Sequence, residues 1–453
     1  MWQIEQLLKI LKGTPFRIER ESFTGISTDS RSIKEGELFI PLSGINFDGH
    51  TFIPSAYDRS KAGSLCEKGR EDIAEDVKGT IILVENTLKA LIELAAYKRR
   101  QTDARYIAIT GSNGKTTTKE ILVHLTKDIF NIHFNEKNYN NVIGVSKSIL
   151  SIDKTPDYCI FEFGTNSKGE IKTLAQMTMP DISMITNINP SHLEGLFDLD
   201  SILEEKLDLF RETKHNGTIF INVDDTRLLS SYKGFPKNTI NSFGIIHNAD
   251  FNLAIVEDLG WRGYNINLKL SSDTIKTKTS LLGIHNLYNV LAAASIAYSM
   301  GVGINHIAKR IESFNSYSMR FQPVESKRGY IVVNDTYNAN PSSVQWAVKT
   351  LINLPCSGKR VVILSDMKEL GDKTTYYHRE LGRFLNENSV SMIALLGEHV
   401  KETYAELNDK NAYLFEDRQE LIDFASGYIN EGDVVLVKGS RLFKMEEIVE
   451  ALI

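Results

Sequence analysis

The chain has 453 residues, 42% hydrophobic and 24% charged, an ordinary balance for a globular protein and enough length for about three domains. A formal net charge of −6 argues against a general polyanion binder, so no nucleic-acid partner is expected, although a local basic nucleotide site stays open. Cys66, Cys159 and Cys356 are scattered without ligand spacing and suit a reducing, cytoplasmic setting, and no apolar run approaches the ~18 residues of a membrane span.

In chain order, residues 1–102 read as a mixed α/β unit. Positions 3–12 form an amphipathic helix with acidic residues, unlike a signal peptide. The segment 25–31 is polar and turn-like, 36–42 reads as a strand, and 43–50 is again polar. Helices are expected over 51–62 and 87–100, with a strand over 80–84; the second helix ends in Lys98, Arg99 and Arg100, which suits a C-terminus. The polar segments are either a ligand site or solvated turns.

Residues 103–314 alternate: strand 106–110, helix 116–127, strand 130–134, helix 142–151, strand 158–163, helix 169–177, strand 182–187. That is the pattern of a mostly parallel sheet covered by helices. Segments 264–270 and 275–281 alternate polar and apolar residues, as an antiparallel addition with one wet face would. A helix rich in Ala and Leu follows over 286–298. Residues 315–453 carry strand cores at 330–333, 361–364, 392–396 and 434–437, an independent open α/β sheet beyond a hinge at 313–318. The expected fold is α/β in three domains: a mixed N-terminal domain, a central P-loop-type domain and a C-terminal Rossmann-like domain.

The chemistry gathers where strands end. Gly111, Ser112, Asn113, Gly114, Lys115, Thr116 and Thr117 stand between a strand and a helix. Glycines let amides face an anion, the helix start adds partial positive charge, Lys115 can reach outer phosphates, and the Thr116 hydroxyl can ligate Mg²⁺. The common P-loop wants Gly at 109, where Ile109 stands, so a shorter G-x-x-G-K-T-T remains; a glycine-rich turn with a chance lysine is the alternative. Glu162 closes an apolar strand and is either a Mg²⁺ ligand or part of a structural ion pair. His192 shares a strand-end loop with Asn187 and Asn189, in a functional or a structural role. Lys206, on a helix, reads by itself as an ordinary surface lysine. Asn286 and Asn289 share a helical face and either hold a base or cap the helix. In the last domain, 334–343, 366–371 and 438–441 put three polar strand ends on one sheet edge.

Taken in order, the segments 27–31, 47–50, 110–118, 140–144, 162–166, 187–195, 285–289, 335–343, 366–371 and 438–441 resemble the Mur ligases nearly end to end. The form Asp335-Thr336-Tyr337-Asn338-Ala339-Asn340-Pro341 favours the member that adds a dipeptide over relatives that add single amino acids. The resemblance implies ATP-dependent joining of D-alanyl-D-alanine to UDP-N-acetylmuramoyl-tripeptide through an acyl phosphate, in peptidoglycan synthesis. It implies ATP phosphates on residues 111–117, adenine at Asn286 and Asn289, and phosphate and ribose contacts from Arg320 and Asp335. Two Mg²⁺ ions would be held among Thr116, Glu162, His192 and Lys206, with Lys206 carbamylated, and Lys115, Glu162, His192 and Lys206 would be catalytic. Ser27, Asp29, Ser30, Arg31, Asn46 and Asp48 would meet the UDP-sugar, and Asp366, Lys438, Ser440 and Arg441 the dipeptide side; Asn141, Asn338 and Asn340 are further substrate contacts. Two residues depart from the family pattern: Met319 and Ser365 stand where glycine is usual. A monomer is expected. The rival readings are a sister Mur ligase or folylpolyglutamate-synthase-like ligase, and a nucleotide-switch protein without turnover.

Overall fold

The computed structural model describes residues 1–44, 47–136, 139–231, 234–235, 238–408 and 411–453; Asn46 lies outside the described residues. Three sheets organise them. The first has five strands in the spatial order Thr14–Arg17, Thr80–Val84, Gly63–Glu67, Glu37–Phe39, Gly25–Ser27, with only Thr14–Arg17 antiparallel. The amphipathic helix Ile4–Leu11 buries Ile4, Leu7 and Leu11, spaced three and four apart, in the same core as Leu38 and Leu65. Two corrections arise here. Residues Gly25–Ser27 pair as a strand where a turn was expected, and the strand Gly63–Glu67 escaped the sequence reading because it is buried on both faces and shows no alternation.

The central sheet has nine strands, in the order Ile132–Phe134, Tyr158–Glu162, Arg105–Thr110, Ile182–Ile185, Thr218–Asn222, Thr239–Gly244, Phe251–Asp258, Tyr264–Leu270, Asp273–Thr279. The first seven are parallel, and the last two join through antiparallel pairing, as the change of hydrophobic period indicated. The chain enters at Arg105–Thr110, lays its next two strands on one side and the remaining strands on the other. The strand order therefore reverses beside that strand, and the crevice at such a point, outside the carboxyl ends, is where open α/β sheets bind ligands. Register brings Ile109 opposite Glu162 and Thr110 opposite Ile185, so three strand ends arrive side by side.

The third sheet runs Gln322–Glu325, Ile331–Asp335, Val434–Lys438, Arg360–Ser365, Met392–Leu396, Ala412–Phe415, parallel apart from its first strand. One buried apolar cluster holds Phe161 and Ile185 from the central sheet together with Val333 and Leu370 from the third part, so these two bodies share packing. Among the described residues no helix is long and apolar enough to cross a membrane.

Candidate functional site

The turn between Arg105–Thr110 and the helix Lys115–Thr126 can only be made with glycine at two positions. Gly111 (φ 147°) lies so near Thr186 that a Cβ would stand 1.9 Å from its Oγ1, and Gly114 (φ 82°) so near Asn289 that a Cβ would stand 2.2 Å from Oδ1. The turn is laced to the loop after Ile182–Ile185. Ser112 Oγ donates to the Asn189 carbonyl (2.7 Å), the Asn113 amide donates to Asn187 Oδ1 (3.0 Å), and Thr186 Oγ1 donates to the Asn113 carbonyl (2.6 Å). Lys115 folds back, its Nζ 2.7 Å from the Gly111 carbonyl oxygen. Burial pushes its ammonium below the usual lysine range, against the pull of Glu162 and Glu369.

Glu162 is 2% exposed. One carboxylate oxygen accepts from Asn140 Nδ2 at 2.8 Å, while Oε2 is buried without a partner. A buried carboxylate oxygen left open beside a phosphate cradle fits a hard cation. Among the described residues no three His, Cys, Asp or Glu side chains cluster as a metal site, so a cation here would complete its shell with phosphate oxygens and water. His192 adopts φ 52°, and Nδ1 stands 2.7 Å from Glu369 Oε2, within ion-pair reach but out of line for a hydrogen bond. Burial lowers its pKa, which keeps the imidazole neutral at neutral pH and suited to ligation.

Lys206 overturns the surface reading: it is 1% exposed on the helix Leu199–Arg211. The helix packs on the helix Glu170–Thr178 and on the strands Ile182–Ile185 and Arg105–Thr110, and the helix pattern alone does not show that Lys206 is enclosed among them. Burial, reinforced by Lys115 and opposed by Glu205, holds the Lys206 pKa well below the ordinary lysine value. Its neighbour Glu205 accepts from the Gly169 amide (2.6 Å), the Ile171 amide (2.8 Å) and Thr165 Oγ1 (3.1 Å), which pins the loop beyond Glu162.

The third part closes over this floor. Arg320 Nη2 donates to Thr116 Oγ1 at 3.1 Å while its guanidinium lies 3.7 Å from the Tyr337 ring centroid. Asn340 caps the helix Pro341–Asn353 through the Ser343 amide (2.9 Å), and its Nδ2 reaches Asn113 Oδ1 at 2.7 Å. Asp335 pairs with Lys438 at 2.7 Å, and Lys438 also donates to the Asn338 carbonyl (2.8 Å). The cavity between the two bodies, of about 1140 Å³ and open to solvent, is lined by residues 112–117, Asn141, Glu162, His192, Asn286, Asn289, Arg320, Asp335, Asn338, Asn340 and Lys438.

Not every expected residue reaches it. Gly111 and Lys206 are not among its lining residues; Asp366 is fully buried and accepts from the Val400 amide (2.9 Å) and from Lys368 Nζ (3.0 Å), and neither it nor Ser440 lines the cavity. Ser27, at the end of a strand of the first sheet, Asp29, Ser30 and Arg31, in the loop after it, and Asp48, on a separate two-stranded ribbon, also stand outside it. There Asp29 pairs with Arg31 (2.9 Å), whose hydrogen bond holds its carboxyl down to about 2. Asp48 accepts from Ser43 Oγ (2.9 Å) and the His50 amide (3.0 Å) and pairs with Arg70. The helix Val142–Leu150, capped by Asn141 (2.8 Å to the Gly144 amide), packs on Gly25–Ser27 and so links that loop to the cavity. Asn289 serves structure as well: Oδ1 accepts from Thr118 Oγ1 (3.3 Å) and Nδ2 donates to Asn286 Oδ1 (3.1 Å).

The sequence reading assigned no role to an aromatic wall of the cavity. His285 stacks on Trp346 (centroids 6.1 Å, planes 7° apart) and meets Phe321 edge-on at 5.9 Å. His285 was visible beside Asn286, but Trp346 comes from another sheet's helix and carries no local signal. Met319, where glycine is usual, adopts φ 63°, the conformation that glycine meets without strain. Ser365 lies against Gly439, where a Cβ would stand 1.9 Å from its Oγ.

Three family profiles match the chain: the Mur ligase middle domain over 109–297, the Mur ligase glutamate ligase domain over 319–441, and the Mur ligase family catalytic domain over 22–99. The UDP-N-acetylmuramoyl-tripeptide–D-alanyl-D-alanine ligase of Bacillus subtilis is 30% identical, covering 99% of this chain and 98% of its own. A crystal structure of MurF from Acinetobacter baumannii superposes with a TM-score of 0.92 at 27% identity, over 100% of this chain and 98% of that one. MurF ligase from Thermotoga maritima in complex with ADP gives 0.85 at 27% identity, over 94% and 96%.

Proposed function

Because the chain belongs to the Mur ligase family, we propose that it is the ATP-dependent ligase that joins D-alanyl-D-alanine to UDP-N-acetylmuramoyl-tripeptide. End-to-end similarity to relatives of that name carries the reading. The tripeptide's terminal carboxylate takes the γ-phosphoryl group of ATP. The free amine of the dipeptide then attacks the acyl phosphate, loses a proton and displaces phosphate, giving the UDP-linked pentapeptide. The protein contributes position and charge.

Lys115 swings from its own loop carbonyls to the ATP phosphates held by the amides of 111–117. Thr116, now bonded to Arg320, would be free to hold a cation once Arg320 turned to phosphate. Mg²⁺ held by Thr116 and the open oxygen of Glu162, with a second ion at His192 and Lys206, would neutralise charge on the transferring phosphoryl group. Burial eases deprotonation of the Lys206 ammonium; its neutral amine would then bond the carbon of CO₂ and release a proton, leaving an anionic carbamate that could face Mg²⁺ where an ammonium would repel it. The stack of His285 with Trp346 supports an adenine seat beside Asn286 and Asn289, with ribose at Asp335. The UDP-sugar would lie on the 27–31 and 43–50 loops, Asn141 would meet the peptide between them and the cavity, and Asn338, Asn340 and Lys438 would face the dipeptide. Asp366 and Ser440 would support that side from behind. The domains would run 1–102, 103–314 and 315–453, in a cytoplasmic monomer.

The test is phosphate release from ATP and Mg²⁺ with UDP-N-acetylmuramoyl-tripeptide, with and without D-alanyl-D-alanine, and with single amino acids instead. Release that needs the dipeptide, with a pentapeptide product by mass, is expected. Release driven by one amino acid would move the chain to a sister ligase, and nucleotide binding without turnover would favour a switch protein.

A further inference from the structure

Glu369 follows the strand Arg360–Ser365 of the third sheet, and its carboxylate crosses the cleft to His192, which follows the strand Ile182–Ile185 of the central sheet. Oε2 and Nδ1 are 2.7 Å apart, and Nδ1 is buried with no hydrogen-bond partner, so a turn of the ring that aligns its N–H gives Nδ1 this carboxylate as acceptor. The backbone fastens the same contact, because the Glu194 amide donates to the Glu369 carbonyl at 3.1 Å. Gly371 lies so close to this segment that a Cβ would stand 3.0 Å from Glu194 Cα. Both partners hold left-handed backbone conformations, His192 at φ 52° and Glu369 at φ 65°. Residues with side chains keep that conformation only where their surroundings impose it, and such positions cluster at sites that must hold one geometry.

An imidazole that ligates a metal through one nitrogen is oriented by what its other nitrogen meets, most often a carboxylate. Here the carboxylate and the histidine come from different sheets. We propose that Glu369 is a positioning residue that orients the His192 ring, leaving Nε2 for the metal, and that the metal site is completed only when the third domain is seated on the central one. The proposal rests on the ligase reading and on His192 as a metal ligand. It ties cation binding to domain closure, so the phosphoryl group is neutralised only once the cleft has closed and water is excluded.

The measurement is Mn²⁺ binding by electron paramagnetic resonance, in the presence of a non-hydrolysable ATP analogue, with folding checked by thermal unfolding. Glu369→Ala is expected to weaken Mn²⁺ binding about 10- to 100-fold, as loss of an orienting carboxylate does at other metal sites. Glu369→Gln, whose amide oxygen can still face Nδ1, should recover part of the loss and also serves if the alanine variant does not fold. Ser342→Ala breaks a different contact across the same cleft, Ser342 Oγ to Asn189 Oδ1 at 3.1 Å, and should change binding less than twofold. Wild-type affinity in Glu369→Ala, no recovery in Glu369→Gln, or an equal loss in Ser342→Ala would each overturn the positioning role. His192→Ala separates the two readings: unchanged Mn²⁺ binding there would remove the metal assignment itself, while a loss there with none in Glu369→Ala would remove only the role of Glu369.

Discussion

Lys206 and His285 show what burial does to a titratable side chain. For Lys206, desolvation is the first cause of its low pKa, and the nearby Lys115 adds to it. Lys206→Ala should abolish ligation, with part of the rate restored by short-chain carboxylic acids that fit the vacated space. An unchanged rate in the variant, measured by phosphate release, would remove the carbamate from the mechanism. His285 is pushed down to about 4 by burial. Between its ordinary value of 6.5 and about 4, the unfolded chain takes up a proton that the folded chain refuses. This group therefore leaves stability untouched above pH 6.5 and lowers it as pH falls through that window. The ceiling is about 3 kcal/mol, less for the solvent that a half-buried ring still meets. Thermal unfolding from pH 7 to 4 should show the loss, and His285→Gln should flatten the slope.

At the scale of elements, neighbouring parallel strands deliver charges to one place. Ile331–Asp335 and Val434–Lys438 end in register, Asp335 opposite Lys438, and the two side chains pair at 2.7 Å with Lys438 only 2% exposed. Removing one member of a buried pair strands the other. Lys438→Ala is expected to destabilise the third part by about 3 kcal/mol, read as a lower urea midpoint. Lys438→Met with Asp335→Leu should recover much of that stability while losing ligation. If the single variant unfolds like the wild type, water already screens the pair.

On the scale of the whole molecule, the site exists only where two bodies meet. Arg320 to Thr116, Asn340 to Asn113 and Glu369 to His192 all join the third part to the central one. Loss of a charge-assisted bond from one of these costs roughly 1.5–3 kcal/mol. Arg320→Ala should thus raise KM for ATP about tenfold or more, with a smaller effect on KM for the dipeptide. A KM for ATP equal to the wild type would mean that Arg320 serves only to seat the domain.

Local chemistry was legible from the residues in order. A strand, two glycines that no other residue could replace, Lys115 and a helix start are contiguous, so the phosphate cradle follows from dihedral sterics and the helix dipole within one stretch of chain. The alternation of strands and helices announced two parallel sheets, because a parallel pair needs a crossover, and the shift to period two announced the antiparallel edge. Tertiary structure alone decided the burial of Lys206, the pairing of Glu369 with His192, the stack of Trp346 on His285, and the retirement of Asp366 behind the wall of the cavity. Each of these depends on residues far apart in the chain meeting across packed elements. Periodicity tells which face of a helix is apolar, but desolvation and ion pairing are set by what a neighbouring body brings to that face.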